Sequence, residues 1–124
     1  MSKSQRIKGL RFEQIIAQDF RAFEQNIAQD FRAIGFPDAL RALEYQAGMG
    51  IDLQGTSPFS VQCKAHHDYV SISTIDEIPV QEGRIRVLVT KGDRKEPMAV
   101  LSWKDLQKLI ERSYGDIISH LTSA

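Results

Sequence analysis

A chain of 124 residues, 42% hydrophobic and 26% charged, is long enough for one compact soluble domain spanning 1–124 and too short for two. Its one cysteine, Cys63, excludes an internal disulfide and a thiolate zinc site and fits a reducing, cytoplasmic setting. The opening MSKSQRIKGLRFEQ has no apolar signal core, and no apolar run approaches the roughly 20 residues needed to span a bilayer, so no membrane partner is expected.

The first element is written twice. FEQIIAQDFRA, Phe12 to Ala22, is followed at once by FEQNIAQDFRA, Phe23 to Ala33, with Ile15 against Asn26 as the one difference. Eleven helical residues make three turns plus about 20°, so a duplication of this length keeps one face toward the core. Phe12, Ile16, Phe20, Phe23, Ile27, Phe31 and Ile34 form that apolar stripe. Gly35 and Pro37 mark the stop. A helix from about residue 10 to 34 would be roughly 36 Å long, about the width of such a domain. Apolar residues beyond the core would then seek a second chain, giving a homodimer in which the helix could be exchanged. The alternative is one long helix on a sheet within a monomer.

Ala39 to Tyr45 (ALRALEY) fits either a strand or a helical turn. Ile51 to Gln54 reads as a short strand, Gly55 to Pro58 as a turn centred on Thr56 and Ser57, and Phe59 to Lys64 as an alternating strand. Ser71 to Ile78 reads as a short capped helix before Pro79. Arg84 to Thr90 and Pro97 to Leu101 are further strands. Ser102 caps a helix that starts at Trp103, with Leu106, Leu109 and Ile110 on one face and Trp103 as an anchor to the sheet. That helix, or a second one after Gly115, ends the chain. The order predicts an α/β (α+β) fold with a mixed β-sheet flanked by helices.

The chemistry concentrates between residues 51 and 64. With the turn at 56–57, Asp52 lies opposite or nearly opposite Gln62, and directly opposed residues have Cβ atoms about 5 Å apart. Gln62 and Lys64 share a face, while Ile51, Val61 and Cys63 point into apolar packing. A carboxylate, an amide oxygen and the Cys63 backbone carbonyl are hard donors that suit Mg²⁺ or Mn²⁺. The Lys64 ammonium can offset charge that builds on a phosphate under attack. Read without that convergence, the same stretch is a surface hairpin with scattered polar residues.

GMGIDLQGTSPFSVQCK resembles the active-site hairpin of the PD-(D/E)XK nuclease superfamily. It is most similar to the Mrr-type restriction endonuclease branch, in which Gln takes the second acidic position. Lys8-Gly9-Leu10-Arg11-Phe12-Glu13 is similar to the opening of archaeal Holliday-junction resolvases, where a Glu on the first helix joins the metal site. The resemblance implies a restriction-endonuclease-like fold, Asp52 as principal metal ligand, Gln62 at the second ligand position and Lys64 as catalytic lysine. The helix carboxylate is either Glu13 or Glu24, about 16 Å apart on a continuous helix. Glu24 is favoured, because its end of the helix is tied to the hairpin through the short segment 35–50. The chain departs from the pattern at Ile51, where the family has Pro, and at Gln62, which removes one negative charge.

Together these features predict a Mg²⁺-dependent DNA endonuclease, with branched DNA as substrate because no separate sequence-reading domain is visible. The alternative is a nuclease-fold module that binds DNA or a protein without cutting, and a helical assembly protein built on the repeat is a third reading. Formal net charge is +0, but its placement is uneven, and Lys8, Arg11, Arg84, Arg86 and Lys91, with His66, are the candidate nucleic-acid contacts. In sedimentation, the dimer reading expects a mass that moves from one chain toward two as concentration rises. A mass fixed at one chain throughout would remove it.

Overall fold

A computed structural model of the chain describes residues 20–42 and 50–122. Residues 20–34 are helical (α1). Four features follow: β1 (Leu40–Arg41), β2 (Leu53–Gln54), β3 (Phe59–Ala65) and a 3-10 helix (Ile72–Glu77). Then come β4 (Ile85–Lys91), β5 (Met98–Val100) and α2 (Trp103–Thr122). Residues 1–19, with Lys8, Arg11 and the first copy of the repeat as far as Asp19 (Phe12, Glu13 and Ile16 among them), lie outside the described residues, as do residues 43–49, which include the end of the ambiguous segment and Gly48.

The chain forms a mixed α/β structure with two small sheets. β3, β4 and β5 form one sheet in that order, β3 parallel to β4 and β5 antiparallel to it. β1 and β2 pair antiparallel, Arg41 opposite Leu53. Val61, Cys63, Val87 and Val89 share one face of the larger sheet, and Phe23, Ile27 and Ala28 of α1 close over it with Leu53 and Ile85. Burial of Phe23 and Ile27 contributes about 1.5–3 kcal/mol each. β4 is buried along both faces because the 3-10 helix covers the side opposite α1, where Leu88, Thr90 and Ile78 are buried.

The end of α1 follows from its sequence. Gly35 takes φ +125°, and the Phe36 N–H reaches back to the Phe31 carbonyl at 3.0 Å, the bond of a Schellman cap. The rings of Phe31 and Phe36 meet edge to face at 5.4 Å, and both lie against Phe59. Ser102 caps α2 as expected, its hydroxyl accepting the Asp105 N–H at 3.1 Å. Ser71 likewise caps the short helix, which is 3-10 rather than α.

Of the two alternatives for the end of the chain, the structure takes the first: α2 continues through Gly115 as one helix. Several expectations are corrected. Trp103 is 69% exposed and does not anchor the helix; Leu109 packs on the core instead. Ile34 leaves the apolar stripe and stands exposed; the end of α1 packs on β3 through Phe31 and the following Phe36 instead. The turn between β2 and β3 is one residue later than predicted, closed by the Phe59 N–H on the Thr56 carbonyl at 2.7 Å. Among the described residues, no helix is long and apolar enough to cross a membrane.

Gly55, at φ +74°, lies so close to β1 that an added Cβ would sit 2.2 Å from the Asp38 carbonyl oxygen. Gly83, at φ +75°, has nothing within 4 Å of such a Cβ. Gly55→Ala is therefore expected to lower unfolding free energy by about 1–3 kcal/mol in urea denaturation, and Gly83→Ala by distinctly less.

Candidate active site

Asp52 stands at the edge of β3 that β4 leaves unpaired. A hairpin pairing of β2 with β3 was expected there, with Asp52 opposite or nearly opposite Gln62. The structure has one backbone rung instead, from the Asp52 N–H to the Val61 carbonyl at 2.8 Å. The Asp52 carbonyl is taken by the Ala42 N–H at 2.8 Å. Its side chain supplies the missing acceptor, and the Cys63 N–H donates to Asp52 Oδ2 at 2.7 Å. In a strand, the N–H and C=O of one residue leave on the same edge. The Cys63 carbonyl therefore faces the Asp52 edge rather than the ladder to β4.

Glu24 reaches this edge from α1. It is 6% exposed, and its Oε2 accepts from Arg41 Nε at 2.7 Å. The pairing of β1 with β2 places Arg41 across from Leu53, one residue from Asp52. On the other side of β3, Gln62 Nε2 and Lys64 Nζ both lie 3.4 Å from the same oxygen, Glu77 Oε2. Gln62 is 5% exposed, and its Oε1 is buried without a hydrogen-bond partner.

The electrostatics follow from this crowding. Burial raises the pKa of the Asp52 carboxyl above its ordinary value, and the Glu24 charge pushes the same way. The Cys63 N–H, Lys64 and Arg41 pull it back without cancelling the rise. Burial also pushes the Cys63 thiol up, helped by Asp52 and Glu24, so Cys63 stays protonated and serves packing rather than nucleophilic chemistry.

Among the described residues, no three His, Cys, Asp or Glu side chains cluster as a metal-binding set. The donors here are of another kind: the Asp52 and Glu24 carboxylates and the Cys63 carbonyl at this edge, and the Gln62 amide oxygen buried on the other side of the strand. An orphaned buried acceptor such as Gln62 Oε1 costs about 1–3 kcal/mol unless a positive group meets it. The donors are all oxygen, which fits Mg²⁺ or Mn²⁺.

The structure thus brings Asp52 and Glu24 to one edge of β3, close enough to Lys64 for its charge to act on Asp52, while Gln62 and Lys64 share Glu77 on the other side of the strand and Glu13 lies outside the described residues. Arg84 and Arg86 have other partners. Arg84 donates to Ser60 Oγ at 2.9 Å and to the Phe59 carbonyl at 2.6 Å. Arg86 donates to the Ile75 and Ile78 carbonyls at 3.3 and 3.4 Å. Lys91 and exposed His66 line an open groove of about 370 Å³ against Asn26 and Asp30 of α1. Sequence reasoning missed Arg41 and Glu77. Pairing of ALRALEY with Ile51–Gln54 would have placed Arg41; no local spacing links Glu77 to residues 62 and 64. The chain matches no family model, no curated protein and no solved structure in these comparisons.

The raised Asp52 pKa sets a sign. Where pH lies below the ordinary aspartate value, folded and unfolded chains are both protonated and Asp52 costs nothing. As pH rises through the folded value, its ionisation in the fold becomes a penalty. In metal-free protein at pH 7, Asp52→Asn should therefore raise the thermal midpoint, and that gain should vanish below roughly pH 4.

Proposed function

We propose that this chain is a Mg²⁺- or Mn²⁺-dependent endonuclease with a restriction-endonuclease-like fold, which hydrolyses DNA phosphodiester bonds with branched junctions as its expected substrate. The observation that carries the reading is the pair of buried carboxylates, Asp52 and Glu24, with the Lys64 ammonium near enough to act on the Asp52 charge, and an orphaned Gln62 oxygen on the same strand as Lys64.

Asp52, Glu24, Gln62 Oε1 and the Cys63 carbonyl would hold the cation. When bound, it would supply Lewis-acid polarisation of the phosphate and a more acidic water molecule. The rest falls to the chain. The Cys63 N–H fixes the Asp52 carboxylate, so the principal ligand does not reorganise as charge develops. Lys64 is half-buried on the same strand and can exchange Glu77 for a phosphate oxygen, offsetting the charge that grows there. Arg41 holds Glu24 in place and balances one of two adjacent negative charges. His66, two residues after Lys64, and Lys91, the last residue of β4, are the groups that would meet the DNA backbone. A homodimer would offer two such edges to two strands, and exposed Ile34, Trp103, Ile110 and Tyr114 supply the apolar surface in support.

A second reading has its own support. Gln62 carries no charge and Glu24 already has Arg41, which favours a module that binds DNA without cutting. Supercoiled, linear and four-way-junction DNA incubated with Mg²⁺ or Mn²⁺ separates the two. The nuclease reading expects metal-dependent cleavage that Lys64→Ala lowers by at least about a hundredfold while junction binding persists. Binding with no cleavage by the wild type assigns the chain to the second reading.

A further inference from the structure

We propose that Glu77 is a positioning residue that sets the rotation of the Gln62 side-chain amide, turning Oε1 inward as a cation ligand. The inference rests on the metal-site reading above. A carboxylate at position 62 would present oxygen whichever way it turned. An amide has one donor end and one acceptor end, and the wrong rotation points N–H groups at a cation. Something must therefore fix the amide. A carboxylate accepts only, so Glu77 Oε2, 3.4 Å from Gln62 Nε2, selects the NH₂ end and leaves Oε1 on the buried side, where it has no donor.

Glu77 is held for this task by its backbone. A Cβ added at Gly50, two residues before Asp52, would come within 2.5 Å of the Glu77 carbonyl oxygen. That approach is open to glycine alone. From the other side, Arg86 grips the Ile75 and Ile78 carbonyls, and the Ile78 N–H returns to the Ile75 carbonyl at 3.1 Å. The Glu77 side chain is 57% exposed, so its removal opens no cavity. Its contact with Lys64 Nζ uses the same Oε2 and would be lost in any Glu77 variant, whatever stands at position 62.

The test is Mn²⁺ binding, by calorimetry and by the electron-spin signal of the free ion, with circular dichroism to confirm folding. Glu77→Ala and Glu77→Asp are compared in two backgrounds, native Gln62 and Gln62→Glu. Asp keeps the charge but falls short of Gln62 by one methylene. With Gln62, both variants should weaken Mn²⁺ binding about tenfold or more; with Gln62→Glu, neither should weaken it. Equal losses in the two backgrounds would assign Glu77 a general charge effect and overturn the proposal. So would wild-type affinity in Glu77→Asp or in Glu77→Ala with Gln62 native. If the wild type binds no Mn²⁺, the metal-site reading fails and takes this inference with it; if the wild type binds and the Glu77 variants bind alike, this inference fails alone.

Discussion

The hydrogen bond from the Cys63 N–H to Asp52 Oδ2 is the contact on which the edge of the sheet depends. β3 needs acceptors for the N–H groups it turns away from β4, and a buried unpaired N–H is expensive. A second strand would ordinarily supply them from its backbone. Here the chain crosses at Asp52, gives its carbonyl to Ala42, and closes the edge with a side chain. One residue thus finishes a β-sheet and places an ionisable oxygen in a buried position.

That solution brings an electrostatic conflict. Asp52 and Glu24 are both buried, and the Glu24 charge disfavours ionisation of Asp52. Arg41 relieves part of it through Glu24, and Lys64 acts from the far side of the strand. The folded chain still holds Asp52 at a raised pKa. Such local conflict, surrounded by a well-packed apolar sheet, is typical of sites kept for binding rather than for stability.

How much of this was legible in the sequence depends on the range of each contact. Gln62 and Lys64 share a face because strand periodicity is local, and the cap at Gly35 and the start at Ser102 are equally local signals. The placing of Asp52 at the β3 edge needed only a short turn, although the expected ladder gave way to a side-chain bond. Glu77 lies 15 residues from Gln62 and Arg41 lies 17 from Glu24, each on a different element from its partner, so no spacing rule reaches them. Trp103 misled because size and apolarity argue for burial, whereas the face of α2 that meets the sheet passes through Leu109.

The aromatic cap formed by Phe31, Phe36 and Phe59 has a consequence for the repeat. It fastens α1 to β3 at the helix's carboxyl end, and Glu24 is counted back from that fixed point by the second copy alone. Insertion or deletion of a whole eleven-residue unit upstream of Phe23 leaves that count unchanged, so copy number can drift over generations without displacing the acidic side chain that faces Asp52. The duplication is thus a variation in length that selection on this strand edge would scarcely register.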